Sequence, residues 1–270
     1  MNRHRSNRNS LLLVVLVAAV SVASASDVEI RQHTEEKARA ALEQATGEDW
    51  IVDVAPTGGT IIFAAPKDGA YESPRADSHI EAALAFLSRH RRIFGMQDPR
   101  REWIVTPRDA AMSGPTHVRF SQVVNGVPVY GASWIMHFDS RGRLTSTSGG
   151  YVVGALEVST RARLSAEAAA ARARACVAAR ARLPESTFKT NVAELEIFPL
   201  RNARPSLAWH VLVSVSPPRP IILSREVHLD DRTGTVLADT SMVRFRSAPQ
   251  EVDPKPTYPA QCLLAGQEAP

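Results

Sequence analysis

The sequence predicts an α+β fold built as two small domains, each with a helix packed on an antiparallel sheet. Three observations carry this. The run His117–Tyr151 alternates like a strand meander and is broken twice by turn residues, at Asn125-Gly126 and at Asp139-Ser140-Arg141-Gly142. Ser78 to Gly95 carries the cap, apolar stripe and stop of an amphipathic helix. A second helical pattern, Ala166–Leu183, is followed by several runs of strand-like alternation.

In chain order, Met1–Arg8 holds Arg3, Arg5 and Arg8, then comes the apolar run Leu11–Val20 and an Ala23-Ser24-Ala25 site. That is the pattern of a secretory signal peptide over residues 1–25, cut after Ala25. The apolar run falls well short of the roughly 20 residues a membrane span needs, so a secreted or periplasmic protein, with no membrane association after cleavage, is expected. Without the leader's three arginines, 29 basic residues face 28 acidic ones. A balance this even gives no field for nucleic acid, despite a sequence pI near 9.4. The two cysteines, Cys176 and Cys262, are too few for a disulfide scaffold; Cys176 reads as a small buried hydrophobe, and a bridge to Cys262 is left open.

Thr34–Thr46 reads as a first helix, with Thr34 as cap and Gly47 as stop. A hairpin follows, Trp50–Val54 and Thr60–Ala64, around Gly58-Gly59. The next helix has Ser78 as N-cap and Glu81 closing a capping box. Its stripe is Ile80, Ala83, Leu84, Leu87 and Phe94, and Gly95 ends it. Glu102–Thr106 adds a strand. In the meander, Trp134, Met136 and Phe138 share one face, and Ser133, Ile135 and His137 the other. Ile135, Val123 and Tyr130 are expected on the open face. Gly154–Arg163 connects to the helix capped by Ser165 and stopped by Pro184, whose narrow face of Ala166, Ala169, Ala170, Ala173, Cys176 and Val177 permits close packing. Strands follow at Ala193–Phe198, Leu207–Val215, Arg225–Leu229 and Thr235–Ser241. Residues 244–270 carry five prolines and no periodicity, and read as a flexible tail.

The run Arg119-Phe120-Ser121-Gln122, then Gly126-Val127-Pro128-Val129-Tyr130-Gly131, then His137-Phe138-Asp139 and Gly142, resembles the FTP domain of fungalysin- and thermolysin-type peptidase propeptides. Leu207–His210 and Asp231–Gly234 resemble a PepSY domain, which in those precursors stands between the FTP part and the zinc peptidase. The resemblance implies an FTP-like prodomain over 26–153 and a PepSY-like domain over 154–243. It also implies mostly structural roles for Arg119, Phe120, Gln122, Gly126, Val127, Pro128, Val129, Gly131 and Gly142. Pro128, which lacks a ladder donor, is expected at a sheet edge or bulge.

A thermolysin-type site needs two histidines at i and i+4 with a glutamate as base. No H-E-x-x-H run occurs among His4, His33, His79, His90, His117, His137, His210 and His228, so no catalytic residues and no cofactor are expected. His117 with His137, and His210 with His228, can be strand neighbours. No acid or cysteine at tight spacing completes a metal set, so a structural role is expected of them. Glu194 and Glu196 read as an exposed, alternating edge. The function implied is a secreted, non-catalytic prosegment-like protein that binds, inhibits or assists folding of a secreted metallopeptidase in trans, through residues the sequence does not identify. A truncated precursor without function, and a free-standing envelope module that captures other exported proteins, stay open as alternatives.

Overall fold

The computed structural model describes residues 25–242, apart from 57–58, 73–75, 115, 202 and 216–222, with side chains from Val28 onward. The expected leader (with its cleavage site described only from Ala25), the Gly58 turn residue, the tail 244–270 and Cys262 lie outside them. Helix α1 (Ala25–Thr46) precedes the hairpin β1 (Trp50–Val54) and β2 (Ile61–Pro66). Next come α2 (His79–Arg89), α3 (Pro99–Glu102), β3 (Trp103–Ile104) and α4 (Pro107–Met112). The meander is β4 (His117–Val124), β5 (Val127–Phe138) and β6 (Leu144–Gly149). A short 3₁₀ turn at Ala155–Glu157 leads to α5 (Ala166–Ala181), β7 (Phe188–Phe198), β8 (Ser206–Val215), β9 (Ser224–Asp230) and β10 (Val236–Ser241). The class is α+β, as the alternation and helix periods require.

The strands form one path, β1-β2-β6-β5-β7-β8-β9-β10, with β4 on the other edge of β5 and β3 beyond it. Pairing is antiparallel except between β5 and β7, which meet in parallel at Val129 and Ile197. Helices α1 and α2 cover one face of the first half. Leu42, Ala83, Phe86 and Leu87 meet Trp50, Phe120, Trp134, Met136 and Leu144 there. Phe94 and Trp134 pack edge to face with centroids 5.6 Å apart. Helix α5 lays Ala169, Ala173, Cys176 and Val177 on Trp209, Val211, Val213, Val227 and Leu229. The small residues expected to face the sheet, Ala169, Ala173, Cys176 and Val177, are the buried ones.

Several local expectations need correction. Helix α1 runs through position 34, where Thr34 Oγ1 donates to the Ile30 carbonyl at 2.8 Å instead of capping. Ser78 does cap α2, accepting from the Glu81 amide at 3.2 Å. The box is half made, because the Glu81 carboxylate takes both terminal nitrogens of Arg100 at 3.1 Å. Helix α2 ends at Arg89, with turns over 91–95. The strand expected at Glu102–Thr106 shrinks to Trp103–Ile104 between two short helices. Pro99 and Pro107 each start one, since proline at the first helical position loses no hydrogen bond. The complete capping box belongs to Thr106 and Asp109. Cys176 is a disulfide cysteine, not a free buried thiol.

Candidate functional site

The meander begins with a two-residue reversal in which Asn125 (φ 49°) and Gly126 (φ 83°) are both left-handed, the hairpin geometry that Asn-Gly favours. From there β4 and β5 pair Val124 with Val127 and Val123 with Pro128, and the register then jumps. The next pair is Ser121 with Ser133. Four residues of β5, Val129–Ala132, therefore stand opposite one residue of β4, Gln122. Gly131 (φ 71°) supplies the left-handed backbone that so large a bulge needs. Val123, expected on an open face, is buried.

Gln122 is fully buried, and its amide acts as a short piece of sheet. Oε1 accepts from the Val152 N–H at 2.9 Å, and Nε2 donates to the Val152 carbonyl at 3.3 Å. This pins the start of the connection between the two halves. Phe120 lies in the core opposite Trp134. Arg119 holds Ser113 Oγ through its backbone N–H at 3.1 Å and Ser133 Oγ through its guanidinium at 3.4 Å. Gly142 (φ 79°) closes the second reversal. There Asp139 Oδ1 accepts from the Arg141 and Arg143 amides, both at 2.9 Å. The Arg143 backbone N–H, more than any other partner, holds the Asp139 carboxyl below its ordinary range. Pro128 sits next to the bulge as expected. It is not at an edge, because the following residue, Val129, takes β7 as a neighbour. Val127 packs partly buried, and Val129 fully, against Ile197 and Leu207 in a small third core between the halves.

The bulge also delivers Tyr130 onto the second half. Its ring lies edge-on to His228, centroids 4.4 Å apart, and stacks on Phe198 at 5.3 Å. The face of β7–β9 opposite α5 carries a row of polar side chains there. His228 is fully buried, and its Nδ1 bonds the Glu196 carboxylate. Glu196 is level with Ala208 and His228 with His210, so the contact crosses β8 on the diagonal, past the small Ala208 side chain. Glu226 Oε1 lies 3.0 Å from His210 Nε2 and 3.9 Å from His228 Nε2. Burial, then the Glu226 and Glu196 charges, push the Tyr130 hydroxyl above its usual pKa.

The expected histidine neighbours are real pairs in the register, His117 with His137 and His210 with His228. Burial, with the His117 charge, lowers the His137 pKa. Glu196 is not on an exposed edge. It is buried in a strand with partners on both sides. Period-two alternation already placed Glu196, His210 and His228 on one face, so the row was within reach of the sequence. The arrival of Tyr130 was not, since it depends on the bulge. Among the described residues no three His, Cys, Asp or Glu side chains stand so as to hold a metal ion.

In the second half, Trp209 and Asp231 prove to be bonded. The buried Asp231 carboxylate accepts the indole N–H at 3.1 Å. It also takes the Leu164 N–H at 3.1 Å and the Arg163 N–H at 2.9 Å. It thus fastens the entry to α5 onto the sheet.

No helix among the described residues is long and apolar enough to cross a membrane. A similar solved structure is the Bacillus megaterium YpeB C-terminal domain, 13% identical, with a TM-score of 0.31, over 78% of this chain and 98% of that one. The Gln122 clamp, the Asn-Gly reversal and the bulge all fall within one segment, and that segment, residues 108–151, matches the Fungalysin/Thermolysin Propeptide Motif.

Proposed function

We propose that this chain is an exported, non-catalytic prosegment-like protein that binds a thermolysin-type metallopeptidase in trans and inhibits it or assists its folding. The observation that carries the reading is the propeptide motif at 108–151, whose side chains are spent on turns, a bulge and a backbone clamp and so build a rigid surface. A rigid partner that binds the native peptidase and not its unfolded chain stabilises the native state by mass action, and blocks substrate where it covers the cleft. In this reading 26–153 is the FTP-like prodomain and 154–243 a PepSY-like one. The sequence supports the second assignment through Leu207–His210 and Asp231–Gly234, and export through the basic and apolar leader at 1–25.

The test mixes purified protein with thermolysin and follows hydrolysis of a chromogenic peptide. It also follows recovery of activity when the denatured peptidase is diluted into buffer with and without the protein. Slowed hydrolysis at micromolar concentration supports inhibition, and a raised refolding yield supports the folding role. Neither effect against a panel of such peptidases refutes the proposal.

A further inference from the structure

A cleft of about 300 Å³ lies where the connection after the 3₁₀ turn passes the start of β8 and the β9–β10 turn. Three arginines line it, Arg161, Arg163 and Arg232, and all three are exposed. Each is tied down by its backbone. The Arg163 N–H donates to Asp231 Oδ2 at 2.9 Å, the Arg232 N–H to Asp230 Oδ1 at 3.1 Å, and the Arg161 N–H to Ser159 Oγ at 3.4 Å. The two acids of the lining are thus engaged by other groups than the arginine heads. Asp231 also takes the Leu164 and Trp209 N–H groups, and Asp230 the Thr233 N–H and hydroxyl. Among the described residues, none of the three guanidinium groups has an ion pair or a hydrogen bond. Elsewhere Arg100, Arg143 and Arg225 each hold a carboxylate, so the three are set apart.

Cations gathered at one cleft without counter-ions repel one another, and an anion that enters between them relieves this. The backbone bonds fix where the three side chains start, which lowers the cost of gathering them on a ligand. Guanidinium forks match the paired oxygens of a carboxylate. A lone phosphate or sulfate fills a small part of this cleft. Exposed cations on two separate stretches of chain suit several carboxylates along a segment better than one compact ion. Val158, half-buried in the same lining, offers apolar surface to the stem of a glutamate. We propose that this cleft binds an acidic segment of another polypeptide, its carboxylates seated among Arg161, Arg163 and Arg232. The site rests on this chain's own charges and not on the peptidase reading.

The experiment titrates the purified full chain into a fluorescent blocked peptide of alternating glutamate and glycine, and into its glutamine counterpart, by fluorescence anisotropy. The glutamate peptide is expected to bind at least about tenfold more tightly at about 50 mM salt, with most of the difference lost at about 300 mM. Arg161→Gln, Arg163→Gln and Arg232→Gln are each expected to lower its affinity about two- to fivefold, and the triple variant at least about tenfold. These heads are exposed and lose no bond, so the melting temperature is expected to hold; if one variant fails to fold, the other two decide. Arg141→Gln removes the same charge from the β5–β6 reversal, outside the cleft, and is expected to leave binding unchanged. Equal binding of the two peptides, or no binding at about 1 mM, overturns the proposal. So does an equal loss from Arg141→Gln, which marks general attraction. Inorganic phosphate that displaces the peptide at a lower concentration than unlabelled peptide does assigns the cleft to small anions and also overturns it. No peptidase enters these readouts, so failure here and failure of the peptidase reading are told apart.

Discussion

Replacing Gln122 with leucine keeps the volume roughly constant and removes both of its bonds to Val152. The two bonds, at 2.9 Å and 3.3 Å, contribute about 1 kcal/mol each. The Val152 N–H and C=O then lose their partner in a part-buried position, which adds a desolvation cost of about 1–2 kcal/mol. A leucine at a fully buried site recovers a little through its apolar surface, which leaves a net loss of roughly 2–4 kcal/mol. Urea unfolding followed by the fluorescence of the four tryptophans measures it. With a denaturant slope of about 3 kcal/mol per M, the midpoint falls by about 1 M. Gln122→Glu is a useful companion. It keeps the acceptor and loses the donor, and it buries a charge. It is expected to cost at least as much at pH 7 and less as the pH falls and the carboxyl protonates. A leucine variant whose midpoint stays within about 0.2 M of the parent refutes the view of Gln122 as a clamp.

Gly149→Ala is expected to cost about 2–4 kcal/mol, because a Cβ there meets the Ser133 carbonyl and Trp134 Cα at 2.8 Å, backbone that cannot step aside; a thermal midpoint within about 1 °C of the parent contradicts this. Asp231→Asn replaces one accepting carboxylate oxygen with an amide NH2, so that a donor faces N–H groups, for a loss of about 2–3 kcal/mol and a changed Trp209 emission; unchanged stability refutes the fastening role. Burial, then the Arg89 charge, holds the His90 pKa below 6.5. The unfolded chain therefore takes up a proton that the folded one refuses. The stabilisation is complete above pH 6.5 and is lost as pH falls below it toward the folded-state pKa. His90→Phe is expected to flatten the fall in melting temperature between about pH 6.5 and 5, and an unchanged slope counts against it. Tyr130→Ala uncovers His228 and Phe198 and is expected to cost about 1–3 kcal/mol; hydrogen exchange of the β9 amides at the parent rate argues otherwise.

What the sequence made legible follows from local physics. The Asn-Gly reversal, the inward set of Trp134, Met136 and Phe138, and the small face of α5 are each dictated by neighbours a few residues away, and the structure has them where expected. What it hid depends on partners far along the chain. Glu81 left its capping box for Arg100, a contact 19 residues on. The burial of Glu196 needs His228, 32 residues away. Val123 is buried by residues distant in sequence, which alternation within β4 cannot reveal. The bulge in β5 hid the joining of the two halves, since nothing in Val129 alone announces a parallel neighbour at Ile197.

That parallel contact has a consequence for synthesis. During translation β5 leaves the ribosome some 60 residues before β7 exists, so for several seconds its flank at Val129 has nothing to bind. An unoccupied flank of this kind invites pairing with other nascent chains. Pro128 offers no amide hydrogen there, and the looped backbone after it presents an irregular outline that another strand cannot easily copy. The feature that later welds the halves together thus also guards the chain while it is half made.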